Sequence, residues 1–103
     1  MFTTNFKTHN YRNKKIRQLA NGQACQHCGK NDGTTVAAHE DGIASGKGTG
    51  LKSGDHRVAY LCYNCHSDYD GRRGDFSKNP ERELNFYRAI LKTQDLWIGE
   101  ICN

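Results

Sequence analysis

The sequence predicts an α+β fold: a small two-stranded unit stapled by one structural zinc, with an N-terminal helix before it and a C-terminal helix after it. Three observations carry this. Four of the five cysteines fall into two Cys-x-x-Cys pairs, Cys25 with Cys28 and Cys62 with Cys65. Two short runs of β-type residues, 34–39 (TTVAAH) and 58–61 (VAYL), lie between those pairs and bracket a glycine-rich stretch. A segment with helical periodicity and its own capping signals begins at Asn79.

The zinc follows from size and composition as much as from spacing. Leu, Ile, Val and Phe make up less than one-fifth of the 103 residues. A single domain this small buries a modest share of its unfolded surface, about 60–65%, and thin cores are commonly cross-linked. No apolar run approaches the ~20 residues of a membrane span. The N-terminus lacks an apolar signal core, so a cytoplasmic setting is expected and disulfides lose their usual compartment. Two tight Cys-x-x-Cys turns far apart in sequence then read as the four thiolate ligands of one tetrahedral zinc: Cys25, Cys28, Cys62 and Cys65. Cys102 is left without a partner.

The elements follow in order. Residues 1–10 form a polar arm, and 11–20 (YRNKKIRQLA) a short helix with Ile16, Leu19 and Ala20 on one side. Asn21-Gly22 stops it, because both residues tolerate the left-handed region. Residues 1–20 are thus a basic arm and helix, and 21–103 the zinc-stapled domain, in a chain that is one domain overall. The stretch 40–55 carries glycines at 42, 46, 48, 50 and 54 and is too glycine-rich for regular structure. A short helix starts near Cys62, and Gly71 and Gly74 mark a loop. In the last helix Asn79 caps, Pro80 suits the first position, and Glu81 and Glu83 favour the positive end of the helix dipole. Leu84, Tyr87 and Leu91 share a face with Ile90 beside them and are expected to be its core side. This helix is expected to reach Lys92 and to extend towards Trp97.

A second set of polar residues lies beside the cysteines. His39 ends the first strand, and His66 follows Cys65. Asp70 stands four residues on, so His66 and Asp70 share one helix face and can hold one divalent ion. An imidazole with a carboxylate suits a harder, exchangeable metal than four thiolates do, such as Mg²⁺ or Mn²⁺. Arg12, Lys14, Lys15 and Arg17 fall within six residues and form a phosphate-binding cluster without sequence readout. With a net charge of +4, this is consistent with nucleic acid as partner.

These residues, in this order, resemble a known superfamily. A strand ending in His, a return strand and a helix carrying His resemble the ββα-metal unit of HNH endonucleases. The pattern Ala38-His39 … Leu61-Cys62-x-x-Cys65-His66 is similar to its zinc-stapled branch. A closer resemblance, to small phage and prophage YbcO-like nucleases, runs through Ala38-His39, Gly48-Thr49-Gly50-x-Lys52, Asp55, Cys62-x-x-Cys65-His66-x-x-x-Asp70 and Arg72. It continues into Thr93-Gln94-x-x-Trp97, covering about residues 23–98. The resemblance implies metal-dependent hydrolysis of DNA phosphodiesters in phage DNA processing or recombination, inside a bacterial host. It implies His39 as general base and His66 and Asp70 as ligands of the catalytic ion, with Lys52, Arg72 and Arg73 on flanking phosphates. Two departures stand out. Ala38 occupies the place where many HNH enzymes have an acidic or histidine ligand, and Arg57 and Val58 stand where the middle Asn is usual. Asp55 or His56 can supply the missing ligand, and Asp55 fits the closer family's spacing. The alternative is a non-catalytic zinc module that binds DNA or a protein. RNA as substrate would demand the same site. No small-molecule cofactor and no dimerisation signature is read from the sequence.

Overall fold

The computed structural model describes residues 11–40, 53–69 and 80–102. Its elements, in chain order, are α1 (Lys14–Leu19), β1 (Val36–His39), β2 (Val58–Leu61), α2 (Tyr63–Tyr69) and α3 (Pro80–Ile101). The fold is the expected α+β arrangement, with helices at both ends of an antiparallel pair. The predicted returning strand, 58–61, is found with those bounds, and the first strand is shorter than expected by two residues.

A two-stranded sheet is at best marginal alone in water and must be covered. In register, Val36 faces Leu61 and His39 faces Val58. All four residues of β2 are buried, so this strand is covered on both faces. Period-2 alternation sends Ala59 and Leu61 one way and Val58 and Tyr60 the other. On the first side lie Cys25, Ala38, Cys62, Tyr69, Phe86, Ala89 and Ile90. On the second lie Ile16 and Ala20 of the N-terminal segment, with Leu19, Ala37, Leu96, Trp97 and Ile101 packed around them. Helix α3, about 33 Å long at 1.5 Å per residue, reaches both clusters.

Local chemistry explains each boundary. Asn13 caps α1: its backbone is extended and its side chain accepts from the N–H groups of Lys15 and Ile16. Gly22 ends the following turn at φ +87°, a conformation costly for any residue with a Cβ. The fold closes through two polar contacts on Tyr60. Its backbone N–H donates to Thr93 Oγ1 at 3.0 Å, and its hydroxyl donates to the Ile16 carbonyl. One strand residue thereby ties α1 and α3 to the sheet. Burial pushes the Tyr60 phenol up to about 12, so it stays a donor at all ordinary pH.

Helix α3 departs from expectation in two ways. It runs past Trp97 to Ile101, and its core side is Phe86, Ala89, Ile90 and Thr93. Leu84 and Leu91 are exposed, at 47% and 61%. Tyr87 is partly buried at the edge of the first cluster. Apolar residues occur on both sides of this helix, and the hairpin selects the side that carries the small Ala89 and the hydrogen-bonding Thr93.

Candidate metal centre and His39–Asp55 site

The four predicted zinc cysteines meet. Cys25, Cys28, Cys62 and Cys65 place their sulfurs within 4.8 Å of one another. The Cys28 and Cys62 sulfurs are 3.8 Å apart. A tetrahedron with metal–sulfur bonds of about 2.3 Å has edges of about 3.8 Å, so the spacing matches the ion the donor set calls for. Each knuckle is held by backbone. Cys25 N–H donates to the Lys30 carbonyl at 2.8 Å, and Gly29 N–H donates back to the Cys25 carbonyl at 2.9 Å. Gly29 turns at φ +82°, which lets the chain leave the knuckle this tightly. Gln26 N–H donates to the Tyr60 carbonyl, hanging the knuckle on β2, while Tyr63 N–H donates to Thr34 Oγ1.

The sulfurs differ in surroundings. Burial pushes the Cys25 thiol up, but backbone N–H groups, Cys28 and His27 among them, point at the sulfur and bring it down to about 7. The Cys65 thiol is raised, by burial first and then by the neighbouring sulfurs. Such crowding is the signature of a ligand set: four thiols this close are best accommodated by a cation that removes their protons. His27 and Cys102 are exposed and do not belong to the cluster. Among the described residues this is the one group of three or more potential metal ligands within reach of one another.

A second polar site forms at the other end of the hairpin. His39, at the end of β1, puts Nε2 2.7 Å from Asp55 Oδ1. Asp55 is fully buried. Its Oδ2 accepts from the Asn13 backbone N–H at 2.7 Å and from the Arg17 guanidinium. The Asp55 N–H in turn donates to the Tyr11 carbonyl at 2.8 Å. Burial alone would raise the Asp55 carboxyl; the hydrogen bonds from His39, Asn13 and Arg17 outweigh it and hold the group below the usual aspartate value. An ionised Asp55 accepts from Nε2–H, which leaves the unprotonated position of a neutral His39 at Nδ1. The His39 side chain keeps 15% of its surface accessible.

The predicted residues therefore divide. Asp55 meets His39, and its carboxylate is engaged by three donors. His66 lies on α2, partly buried, one residue beyond Cys65, with its backbone N–H on the Cys62 carbonyl. Lys14 and Lys15 are exposed on α1. Asp70, Lys52, Arg72 and Arg73 lie outside the described residues. The basic cluster, expected to bind phosphates, is not uniform in its surroundings. Arg17 binds Asp55, and Arg12 donates to the Tyr11 and Ser53 carbonyls at 2.8 and 3.0 Å. Ala38 is buried against Ala59 and Leu61, so its place is taken up with core packing. His56 is partly buried, in edge contact with Tyr11, and its pKa is lowered, chiefly by burial. Gln94, part of the matching pattern, donates to the His56 carbonyl at 2.8 Å.

Sequence reasoning missed Arg17 and the Asn13 N–H as partners of Asp55. The signal was present only as a charged residue on a helix next to a capping Asn, with the carboxylate 38 residues away.

The structure thus joins a ββα hairpin unit, a four-cysteine cluster that could hold a metal ion, and a His–Asp pair with a buried carboxylate. Comparison with protein families makes this specific: the model of the family described as putative nuclease YbcO matches residues 14–100, most of the chain. The chain belongs to that family. Comparisons with curated proteins and with solved structures gave no significant match.

Proposed function

We propose that the protein is a metal-dependent, HNH-type endonuclease that hydrolyses DNA phosphodiester bonds. The observation that carries this is the His39–Asp55 pair at the strand end of a zinc-type ββα unit, within a chain of a nuclease family. His39 takes the proton from the attacking water at Nδ1. A neutral imidazole is suited to that at neutral pH. Asp55 fixes the tautomer and the ring plane through Nε2–H and favours the imidazolium once the proton arrives, the usual role of a carboxylate behind a catalytic histidine. In this proposal Asp55 is a positioning residue and not the metal ligand that its spacing first recommended, because its oxygens are already taken by His39, Arg17 and Asn13. His66, with Asp70, holds the exchangeable divalent ion. When bound, such an ion neutralises charge on the scissile phosphate and the leaving oxygen. Lys52, Arg72 and Arg73 contact flanking phosphates, and the exposed Lys14 and Lys15 supply two further cations for that backbone. A role in phage DNA processing fits the resemblance and rests on it alone.

The test is cleavage of supercoiled plasmid and a four-way junction by the zinc-loaded protein with Mg²⁺, Mn²⁺ or EDTA, beside His39→Ala. We expect metal-dependent nicking that disappears in the variant while zinc content and helicity stay unchanged. One observation favours the non-catalytic module: the ligand position before the base is filled by a core alanine. That reading predicts no cleavage with any metal, and no second divalent site in a titration of the zinc-loaded protein.

A further inference from the structure

Helix α3 has a second apolar stripe that the fold leaves outside. Leu84, Leu91 and Ile98 are 47%, 61% and 51% exposed, although each is a large aliphatic residue. They recur every seven residues, so on a helix they form a nearly straight line. With 100° per residue, that line lies almost opposite the core side formed by Phe86, Ala89, Ile90 and Thr93. Arg88 and Asp95, both exposed, flank the stripe on one side. Gly99 has open space around its Cα on the same stretch.

From this pattern we propose that two copies of the chain pair through α3, antiparallel about a two-fold axis at Leu91. The pattern is self-complementary in that arrangement. Leu91 meets its own copy at the axis, and Leu84 falls level with Ile98 of the second copy, since both lie seven residues from Leu91. An axis perpendicular to both helices keeps the flanking residues on one side of the pair and reverses their order along it. Arg88 lies about 4.5 Å from the axis in one direction and Asp95 about 6 Å in the other, at 1.5 Å per residue. Each Arg88 therefore stands beside Asp95 of the second copy, twice per dimer. Parallel pairing offers no such match, because it sets Arg88 across from the Tyr87 and Gln94 side. One helix face of this length falls short of the ~800 Å² per partner of a standard stable interface, so the dimer is a weak one. This inference does not depend on the nuclease reading: it concerns the side of α3 turned away from the sheet.

Sedimentation equilibrium of the zinc-loaded full chain tests it, over roughly 10 μM to 1 mM. The wild type is expected to show a reversible monomer–dimer equilibrium. Leu91→Glu should be monomeric throughout, with unchanged zinc content and circular dichroism, since the residue is not in the core. Arg88→Asp and Asp95→Arg should each weaken association about tenfold, and the double exchange should restore it, because the two symmetric ion pairs are rebuilt in reverse. A wild type that is monomeric at the highest concentration overturns the proposal. So does a dimer that survives Leu91→Glu. Dimerisation lost in Leu91→Glu but indifferent to Arg88→Asp overturns the antiparallel arrangement.

Discussion

Asp55 shows how much one side chain can organise. It is buried, charged and surrounded by three donors from two parts of the chain: His39 of β1, and the Asn13 N–H and Arg17 of the capped helix α1. Its carboxyl is held below the ordinary aspartate value, so the folded state favours the ionised form. The stabilisation it contributes is present above the unfolded pKa of about 3.9 and is lost as pH falls through the depressed folded value. Asp55→Asn should therefore cost about 1–3 kcal/mol near neutral pH in urea titration, and the gap to wild type should close as the buffer is taken well below pH 4. The same variant should lose most cleavage while keeping its zinc, because the amide offers His39 no charge and no fixed tautomer. For His39→Ala we expect near-complete loss of plasmid nicking together with a stability loss of about 1–3 kcal/mol, because the buried Asp55 carboxylate loses one of its three donors. These contacts were not legible in the sequence. Arg17 reads there as one cation in a basic run, and nothing periodic links it to a carboxylate beyond a glycine-rich stretch. The place of His39 at the end of the first strand was legible, because it closes a β-type run.

At the scale of elements, the sequence was most informative where chemistry is local. The returning strand, the α1 stop at Gly22 and the start of α3 at Pro80 all follow from residue preferences within a few positions. It was least informative for the inner side of α3. Two apolar stripes satisfy helical periodicity in that segment, and the larger residues, Leu84 and Leu91, favour the stripe that proves to be outside. What selects the other is a tertiary demand: the Tyr60 N–H of β2 needs an acceptor, and Thr93 supplies it. Thr93→Val removes that acceptor and leaves a buried donor unpaired, for a loss of about 1–3 kcal/mol by thermal or urea unfolding. Thr93→Ser, which keeps the hydroxyl, should lose less. Leu84→Ala, by contrast, should change monomer stability by no more than about 0.5 kcal/mol, because the side chain is outside the core.

For the molecule as a whole, the cysteine cluster does the work that a thin apolar core cannot. Cys25 and Cys62 are members of the first core cluster and of the four-cysteine group that could hold a metal, so an ion bound there would be continuous with the core. Stripping the metal with a strong chelator should unfold the chain cooperatively, read as loss of ellipticity in step with one equivalent of released zinc. Cys62→Ser should behave as the stripped protein does, and Cys102→Ser as the wild type. The meeting of the four cysteines was legible in the sequence, since two Cys-x-x-Cys pairs mark both the cluster and the segments it brings together.

The docking of α1 against the 53–55 turn has a practical consequence for anyone trimming this chain. A fragment beginning at the first knuckle would retain every cysteine, both strands and α3, and would pass for intact by metal analysis. It would lack Asn13 and Arg17, and its Asp55 would face His39 without the partners that keep it charged and still. Such a fragment would also lose Ile16 and Ala20 from the face that covers Val58 and Tyr60, so any loss of cleavage in it would report that face and the Asp55 contacts together, and not His39 alone.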